Sequence, residues 1–383
     1  MYMGTNGQRV NRSNKLSNLY KSLDNEDFLR MQALVREHQP LDFGPSWPDF
    51  NPTASVLQAI QSVGRNEHLD GAHTMTGDCR GEPRLRAALS QLFSPLMRRT
   101  IDADNEIVVT SGALQALYLA AKSFLKPGDE VILFEPFYHE FYAALHVIQA
   151  SPVAVPLSTS DGQTAQQSND LTYDRQQLVA AFTNRTKMFY INNPNNPTGK
   201  TFTEEELLFI GQLCEKHDVI ILADDAYQFH NYGVQPHIRI ATLPGMWKRT
   251  LTVSSGGKAF YLNSWRLGWL IGPEELLRSI RVRLYHSIQS VPRVGQQVLR
   301  AIIETENQRL NTNDSYFSRC PKQVLDKRDR FIAAFDGTGV DVIKPNAGYV
   351  LIANFSNKLW INPGLNYYSK QHKHLAEYVL SDF

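Results

Sequence analysis

Leu251-Thr252-Val253-Ser254-Ser255-Gly256-Gly257-Lys258 is a β-favouring run that stops at two glycines and a lysine, and Trp265-Arg266-Leu267-Gly268-Trp269 follows it closely. β-Branched and apolar residues up to Ser254 predict a strand, and the glycines predict the turn that ends it. A lysine in that turn is placed to project into a cleft, although on these residues alone a solvated loop lysine fits as well. The same pattern recurs outward along the chain. Residues 107–110, 131–134, 153–156, 188–191, 219–223 and 269–271 read as further strands. Residues 112–125, 140–149, 204–217 and 274–286 repeat apolar positions every three or four and read as helices. Lys126-Pro127-Gly128-Asp129 reads as a turn between helix and strand, and the polar stretch 158–170 as a surface loop. Alternating strands and helices predict an α/β fold: a mostly parallel central sheet flanked by helices, with ligands at the carboxyl ends of the strands.

Before residue 50 and after about residue 290 the rhythm changes to long helices, with two late strands near 340–343 and 349–353. The expected division is therefore an N-terminal arm with part of a smaller domain (1–50), a large ligand-binding domain (51–290) and the rest of the smaller α/β domain (291–383). The chain has 383 residues, 42% hydrophobic and 20% charged, which is ample for a core and unlike a disordered chain. Thirty-nine basic against thirty-eight acidic residues leave +1, so no broad field attracts nucleic acid or an anionic membrane. No apolar run approaches the roughly 18 residues of a membrane span. Cys79, Cys214 and Cys320 are too far apart in sequence for a metal-ligand motif or a small disulfide framework, which points to a reducing compartment and to no metal site. The expected location is cytoplasmic. Mitochondrial import stays open, because Arg9, Arg12, Lys15 and Lys21 precede the first acid, Asp24, in a Ser- and Asn-rich leader.

Candidate site residues cluster at the predicted strand ends. Thr110-Ser111-Gly112-Ala113 passes from strand to helix, where backbone N–H groups can meet a phosphate, although a plain tight turn would read the same. Glu135-Pro136-Phe137-Tyr138 offers aromatic faces for a flat ring or for the core. Asn192-Asn193-Pro194-Asn195-Asn196-Pro197-Thr198-Gly199 holds amides in a proline-fixed turn, either for a ligand or as a structural Asx-turn. Asp224-Asp225-Ala226-Tyr227 ends a buried strand with a carboxylate and a phenol. An unpaired carboxylate there is costly, so Asp224 needs a cationic partner, an arginine or a pyridinium nitrogen. With Lys258 and Arg266, these are the groups pyridoxal phosphate requires.

This ordered set resembles the fold-type I, class I/II aminotransferases, and within them the kynurenine aminotransferase group, also known as glutamine transaminase K or cysteine-S-conjugate β-lyase. The resemblance runs over about residues 15–355. Its most specific part is His237-Ile238-Arg239-Ile240-Ala241-Thr242-Leu243-Pro244-Gly245-Met246-Trp247, continuing through Lys258 to Pro273. It implies pyridoxal 5'-phosphate as cofactor and Lys258 as the Schiff-base lysine and proton carrier. Asp224 would pair with the ring nitrogen, Tyr227 and Asn196 would bond the ring oxygen, and Tyr138 would stack on the ring. Ser255, Arg266 and the backbone of Gly112 and Ala113 would hold the phosphate. At an effective dielectric near ~20, a carboxylate about 4 Å from the ring nitrogen contributes roughly 4 kcal/mol to its protonation. The implied activity moves an amino group from an L-amino acid to a 2-oxo acid in a homodimer, with β-elimination from cysteine conjugates as a companion reaction.

The sequence departs from the family pattern in several places. No arginine follows Arg330, whereas relatives clamp the substrate carboxylate with a late one; the nearest late cations are Lys358, Lys370, Lys373, His372 and His374. Ser46 and Asn196 are the expected substrate-binding positions, and Ser46 replaces a family glycine, crowding the carboxylate site. His73 stands nearest the position of a tyrosine that reaches the neighbouring subunit's phosphate. Gln289-Ser290 replace an aromatic pair of the kynurenine pocket, which argues against kynurenine as substrate. The alternative function is a non-catalytic, cofactor-binding homologue that lost turnover with the clamp. A shortened smaller domain would also leave the strand near 348–353 with an open apolar edge unless residues 359–383 cover it.

Overall fold

The alternating runs form an eight-stranded sheet in a computed structural model of the chain, described over residues 26–39, 53–65, 77–162, 164–232, 236–310, 312–355 and 377–381. Helices α1 (Glu26–His38), α2 (Ala54–Arg65) and α3 (Pro83–Leu96) come first. The sheet strands are β1 (Ile107–Thr110), β2 (Glu130–Glu135), β3 (Ser151–Thr159), β4 (Leu171–Tyr173), β5 (Thr186–Asn192), β6 (Ile220–Asp224), β7 (Thr250–Ser255) and β8 (Gly268–Ile271). Between them run α4 (Gly112–Phe124), α5 (His139–Ile148), α6 (Arg175–Ala181), α7 (Glu204–Lys216) and the short α8 (Gly256–Phe260). Then come α9 (Glu274–Ile288), α10 (Arg293–Asn307), α11 (Tyr316–Ala333), β9 (Asp341–Ile343), β10 (Val350–Asn354) and β11 (Glu377–Ser381).

The order β1-β8-β7-β6-β5-β2-β3-β4 is parallel from β7 through β3, while β8 and β4 run against their neighbours. Strands covered by helices on both faces should be apolar throughout rather than alternating, and β1, β7 and β8 are buried at every residue. Local sequence sets the helix boundaries. Thr203 and Glu206 form a capping box on α7, whose first turn carries Glu204, Glu205 and Glu206 against the helix dipole. Glu82 caps α3, accepting from Leu85 N, with Pro83 in the first turn. The turn after α4 is closed by Lys126 N donating to Asp129 Oδ2 at 2.7 Å, and Gly128 adopts φ +86° there.

On one face of the sheet α2, α3 and α10 cover Val109, Trp269 and Ile271, and Phe93 meets Trp269 edge-on at 5.9 Å. On the other, α4, α5 and α9 cover Leu133, Tyr190, Leu222 and Leu270. Among the described residues no helix is long and apolar enough to cross a membrane.

A second, three-stranded sheet has β10 at its centre, and β11 pairs with it from Val350↔Ser381 to Asn354↔Glu377. The edge expected to lie open is therefore covered by a segment within 359–383. Residues 158–170 are largely exposed, as expected of a surface loop, but the stretch is pinned near its end. Ser168 is fully buried, its Oγ donates to Asn346 Oδ1 at 2.9 Å, and its N–H donates to Lys344 O. Ser168 thus serves a joint between the two sheets, while residues 160–162, 164, 166 and 167 face solvent. Gly199 makes a neighbouring joint: a Cβ there would lie 2.6 Å from Ala347 O.

Trp269, completely buried between α3 and the sheet, anchors the first face. Trp269→Ala should destabilise the chain by about 3–5 kcal/mol in urea unfolding, far more than Trp269→Phe, which leaves most of the ring contact in place.

Candidate active site

Strand register brings the sequence candidates to one edge. Thr110 and Ser255 both lie opposite Gly268 at the antiparallel start of β8, and Asn192, Asp224 and Val253 are successive partners across β5, β6 and β7. Because β1, β2, β5, β6 and β7 point the same way, Gly112, Tyr138, Asn196, Asp224, Tyr227, Ser255 and Lys258 all leave the sheet at its carboxyl edge.

Close backbone approach builds an anion cradle there. A Cβ on Gly268 would sit 2.5 Å from the carbonyl carbon of Gly112 and 2.6 Å from Ala113 N, so only glycine lets β8 begin against the first turn of α4. Gly112 adopts φ +81°, and a Cβ on it would meet the Arg266 guanidinium at 2.8 Å. Ser111, at the N-cap, makes no side-chain cap bond, although its own N–H donates to Gln115 Oε1 at 2.7 Å, and the positive end of α4 lies beside Arg266. Ser255 caps α8 by accepting from Lys258 N at 3.2 Å.

The asparagine-rich turn divides its side chains between structure and site. Asn192 Nδ2 donates to Asp224 O at 3.0 Å, Asn193 Nδ2 donates to Ile238 O, and Asn195 Oδ1 accepts from Thr198. Asn196 enters this network through its backbone N–H, which donates to Asn192 Oδ1 at 2.6 Å, and its half-buried side chain stays out of these bonds. The structural Asx reading thus holds for Asn192, Asn193 and Asn195, and the Asn196 side chain takes no part in these bonds.

Asp224 is 4% exposed at the end of β6. Burial pushes its carboxyl up to about 6, against the Tyr190 hydroxyl, which donates at 2.9 Å, the Ala226 N–H, and the more distant Lys258 charge, while Asp225 pushes the same way as burial. The Tyr227 and Tyr349 rings pack edge-to-face at 5.1 Å, and both hydroxyls are buried without a hydrogen bond in good geometry, although each senses the other electrostatically. Lys258 Nζ lies 5.4 Å from the Tyr227 centroid and 5.0 Å from that of Tyr349. Tyr138 stands at the N-cap of α5, partly open to solvent but within electrostatic reach of Asp224, Tyr227 and Arg266. Phe137 instead stacks on Tyr142 at 4.5 Å.

This donor set fits pyridoxal phosphate: a buried carboxylate without a cation in contact, an unsatisfied phenol, an amine beside it, and a glycine-lined cradle under an arginine. Sequence reading missed Tyr349 and Tyr190. The first was legible only as part of a late strand, and the second is reached through strand register. Ser46 and His73 lie outside the described residues, as do the late lysines and histidines. Gln289 and Ser290 end α9, with Gln289 exposed at φ +61°.

A folded carboxyl value above the unfolded one gives stability that is complete below about pH 4 and lost as pH rises through about 6. The stability of cofactor-free Asp224→Asn relative to the parent should therefore rise by about 2 kcal/mol between about pH 4 and pH 7, measured by thermal unfolding. A difference that stays flat with pH would contradict the burial argument.

Comparison with known proteins agrees with this geometry. The family profile described as aminotransferase class I and II matches residues 39–381. Kynurenine–oxoglutarate transaminase 3 of Mus musculus is 33% identical over 339 residues, covering 88% of this chain and 73% of its own. Kynurenine–oxoglutarate transaminase 1 of the same species is also 33% identical, covering 88% and 79%. The solved structure of N-succinyldiaminopimelate aminotransferase from Mycobacterium tuberculosis superposes with a TM-score of 0.76 at 27% identity, over 85% of this chain and 80% of that one. A profile match across most of the chain, with relatives of that identity and a site of this composition, makes the chain a member of the class I and II aminotransferase family.

Proposed function

We propose that the chain transfers an amino group from an L-amino acid to a 2-oxo acid with pyridoxal phosphate held at the carboxyl edge of the sheet. The observation that carries this reading is the meeting of Lys258 with Tyr227 and the buried Asp224, two distant segments of the chain, beside the Gly112–Gly268 cradle. Bound there, the cofactor supplies an aldehyde that accepts the amino group and a ring that accepts the electron pair left by the departing α-proton. Lys258 Nζ takes that proton and returns it on the other side of the transfer. Asp224 keeps positive charge on the ring nitrogen, and Tyr227 and Asn196 donate to the ring oxygen. Tyr138 covers one ring face. Arg266, Ser255 and the first N–H groups of α4 bind the phosphate.

Both mouse relatives are named for oxoglutarate, which makes 2-oxoglutarate the first acceptor to assay. Gln289-Ser290 in place of an aromatic pair favours donors other than kynurenine. Cysteine conjugates are a second substrate class, since loss of the α-proton also permits expulsion of a β-thiolate. The same reading includes a cytoplasmic homodimer and the division at residues 50 and 290. Exposed Val282, Tyr285 and Ile288 on α9, with Val294 on α10, offer an apolar surface for a second copy.

Adding pyridoxal phosphate to the purified chain should give a visible band that borohydride bleaches, and Lys258→Ala should abolish it. The loaded chain should then lose that band when mixed with its amino-acid donor and release the matching 2-oxo acid. Absence of the band overturns the reading. A band with no oxo acid from any donor supports a cofactor-binding homologue without turnover.

A further inference from the structure

Asp225, the residue after Asp224, is a second carboxylate buried to 2% exposure, and the mechanism above does not use it. Neighbouring residues of an extended strand face opposite ways. Asp224 turns toward Tyr190 on β5, whereas Asp225, whose N–H continues the ladder to Val253 O, turns toward His237 and places Oδ2 at 3.3 Å from Nε2. That contact is off the hydrogen-bond line, and Asp225 Oδ2 has no other partner. Two like charges on adjacent buried residues repel, and Asp225 does push Asp224 toward its protonated form.

A buried cation is linked to Asp225 through one amide. Arg239 is 8% exposed, and its Nε and Nη2 donate to Gln228 Oε1 at 3.0 and 2.6 Å. Gln228 in turn donates through Nε2 to Asp225 O at 3.0 Å and to Ser254 Oγ at 2.8 Å. Arg239 thus hangs from an amide that also grips the Asp225 backbone and the strand leading to Lys258. Burial pulls the guanidinium down to about 10 and Asp225 supports it, so it remains a cation at neutral pH. Burial lowers His237 from its ordinary value, so it serves as a neutral polar contact.

We propose that Arg239 is the buried counter-charge of Asp225, and that Arg239, Gln228 and His237 are positioning residues which hold the Asp225 charge on the far side of the strand, leaving Asp224 ionised against a cationic ring nitrogen. The inference rests on the assignment of Asp224 to that nitrogen. The groups facing the pair are Tyr190 from β5, Ser254 from β7, Tyr227 and Gln228 from the segment after β6, His237 and Arg239 beyond it, Tyr138 at the start of α5, and Lys258 from α8.

The test is the pH dependence of pyridoxal phosphate binding to the full chain, followed by protein fluorescence, with near-ultraviolet circular dichroism confirming the fold of each variant. Arg239→Met should move the binding midpoint up by about one pH unit, weakening binding about twofold at about pH 7 and approaching tenfold below about pH 6, with recovery at higher pH. Asp225→Asn removes the repelling charge and should move the midpoint down. The double variant Asp225→Asn/Arg239→Met should bind better than Arg239→Met alone, because no charge is left to offset. A double variant as weak as Arg239→Met, or an unchanged midpoint in Asp225→Asn, would overturn the proposal. If Arg239→Met does not fold, Arg239→Gln, which removes the charge and keeps a hydrogen-bonding amide, takes its place, and the Asp225→Asn arm tests the repulsion by itself. Asp224→Asn separates the two readings. If it binds with the parent's pH profile, the assignment of Asp224 itself has failed; if it loses that profile while the Arg239 and Asp225 variants keep it, only the counter-charge idea has.

Discussion

A carboxylate dehydrated at the end of a central parallel strand is the demand around which this molecule is arranged. β6 has β5 on one side and β7 on the other, and helices close both faces, so water cannot solvate Asp224. Tyr190 and the Ala226 N–H supply hydrogen bonds but no charge, and the carboxyl group accordingly leans toward its neutral form. A ligand that brings a cation to that oxygen recovers the desolvation cost, whereas a neutral ring of the same shape does not. Burial of this one side chain therefore favours a partner that carries positive charge. The asparagine turn reinforces it: Asn192 Nδ2 and Asn193 N both donate to the Asp224 carbonyl, which fixes the strand end from which the carboxylate projects.

How much of this could be read from sequence follows from how local each feature is. Strands 107–110, 188–191 and 269–271 matched closely because a strand buried on both faces is apolar at every position, and the turn at Lys126–Asp129 carries its own glycine and aspartate. Within the surface stretch 158–170 one buried residue escaped sequence reading for the opposite reason. Ser168 is polar and buried, and its partner Asn346 lies 178 residues away in sequence, beyond the reach of any periodicity. β11 was similarly hidden, since Glu377–Ser381 becomes a strand by pairing with β10.

The site was legible wherever a strand end and a functional group coincide in sequence, as at Asp224, Ser255 and Lys258, because the carboxyl-edge rule then places them together without knowledge of strand order. It was not legible where chemistry depends on register. Nothing local distinguishes Asn196 from Asn192, Asn193 and Asn195, yet three of these side chains bind the protein's own backbone or turn and one does not. Tyr190 is one apolar-looking residue in a strand until its pairing with Leu222 brings its hydroxyl to the carboxylate.

Tyr349 extends that lesson to the coupling between the two sheets. Gly348 N donates to His230 O at 2.9 Å, Tyr232 N donates to Asn346 O at 3.2 Å, and the Tyr232 hydroxyl donates to Gly348 O at 2.6 Å. These bonds tie the lead-in to β10 onto the segment that carries Tyr227, and they lay the Tyr349 ring 5.0 Å from Lys258 Nζ. An ammonium between two aromatic faces gains about 0.5–2 kcal/mol from the rings. Part of what holds the amine in place is therefore contributed by a strand outside the main sheet. A shift of β10 against the main sheet would be felt first at Lys258, because the bonds that seat the strand and the ring that covers the amine belong to consecutive residues.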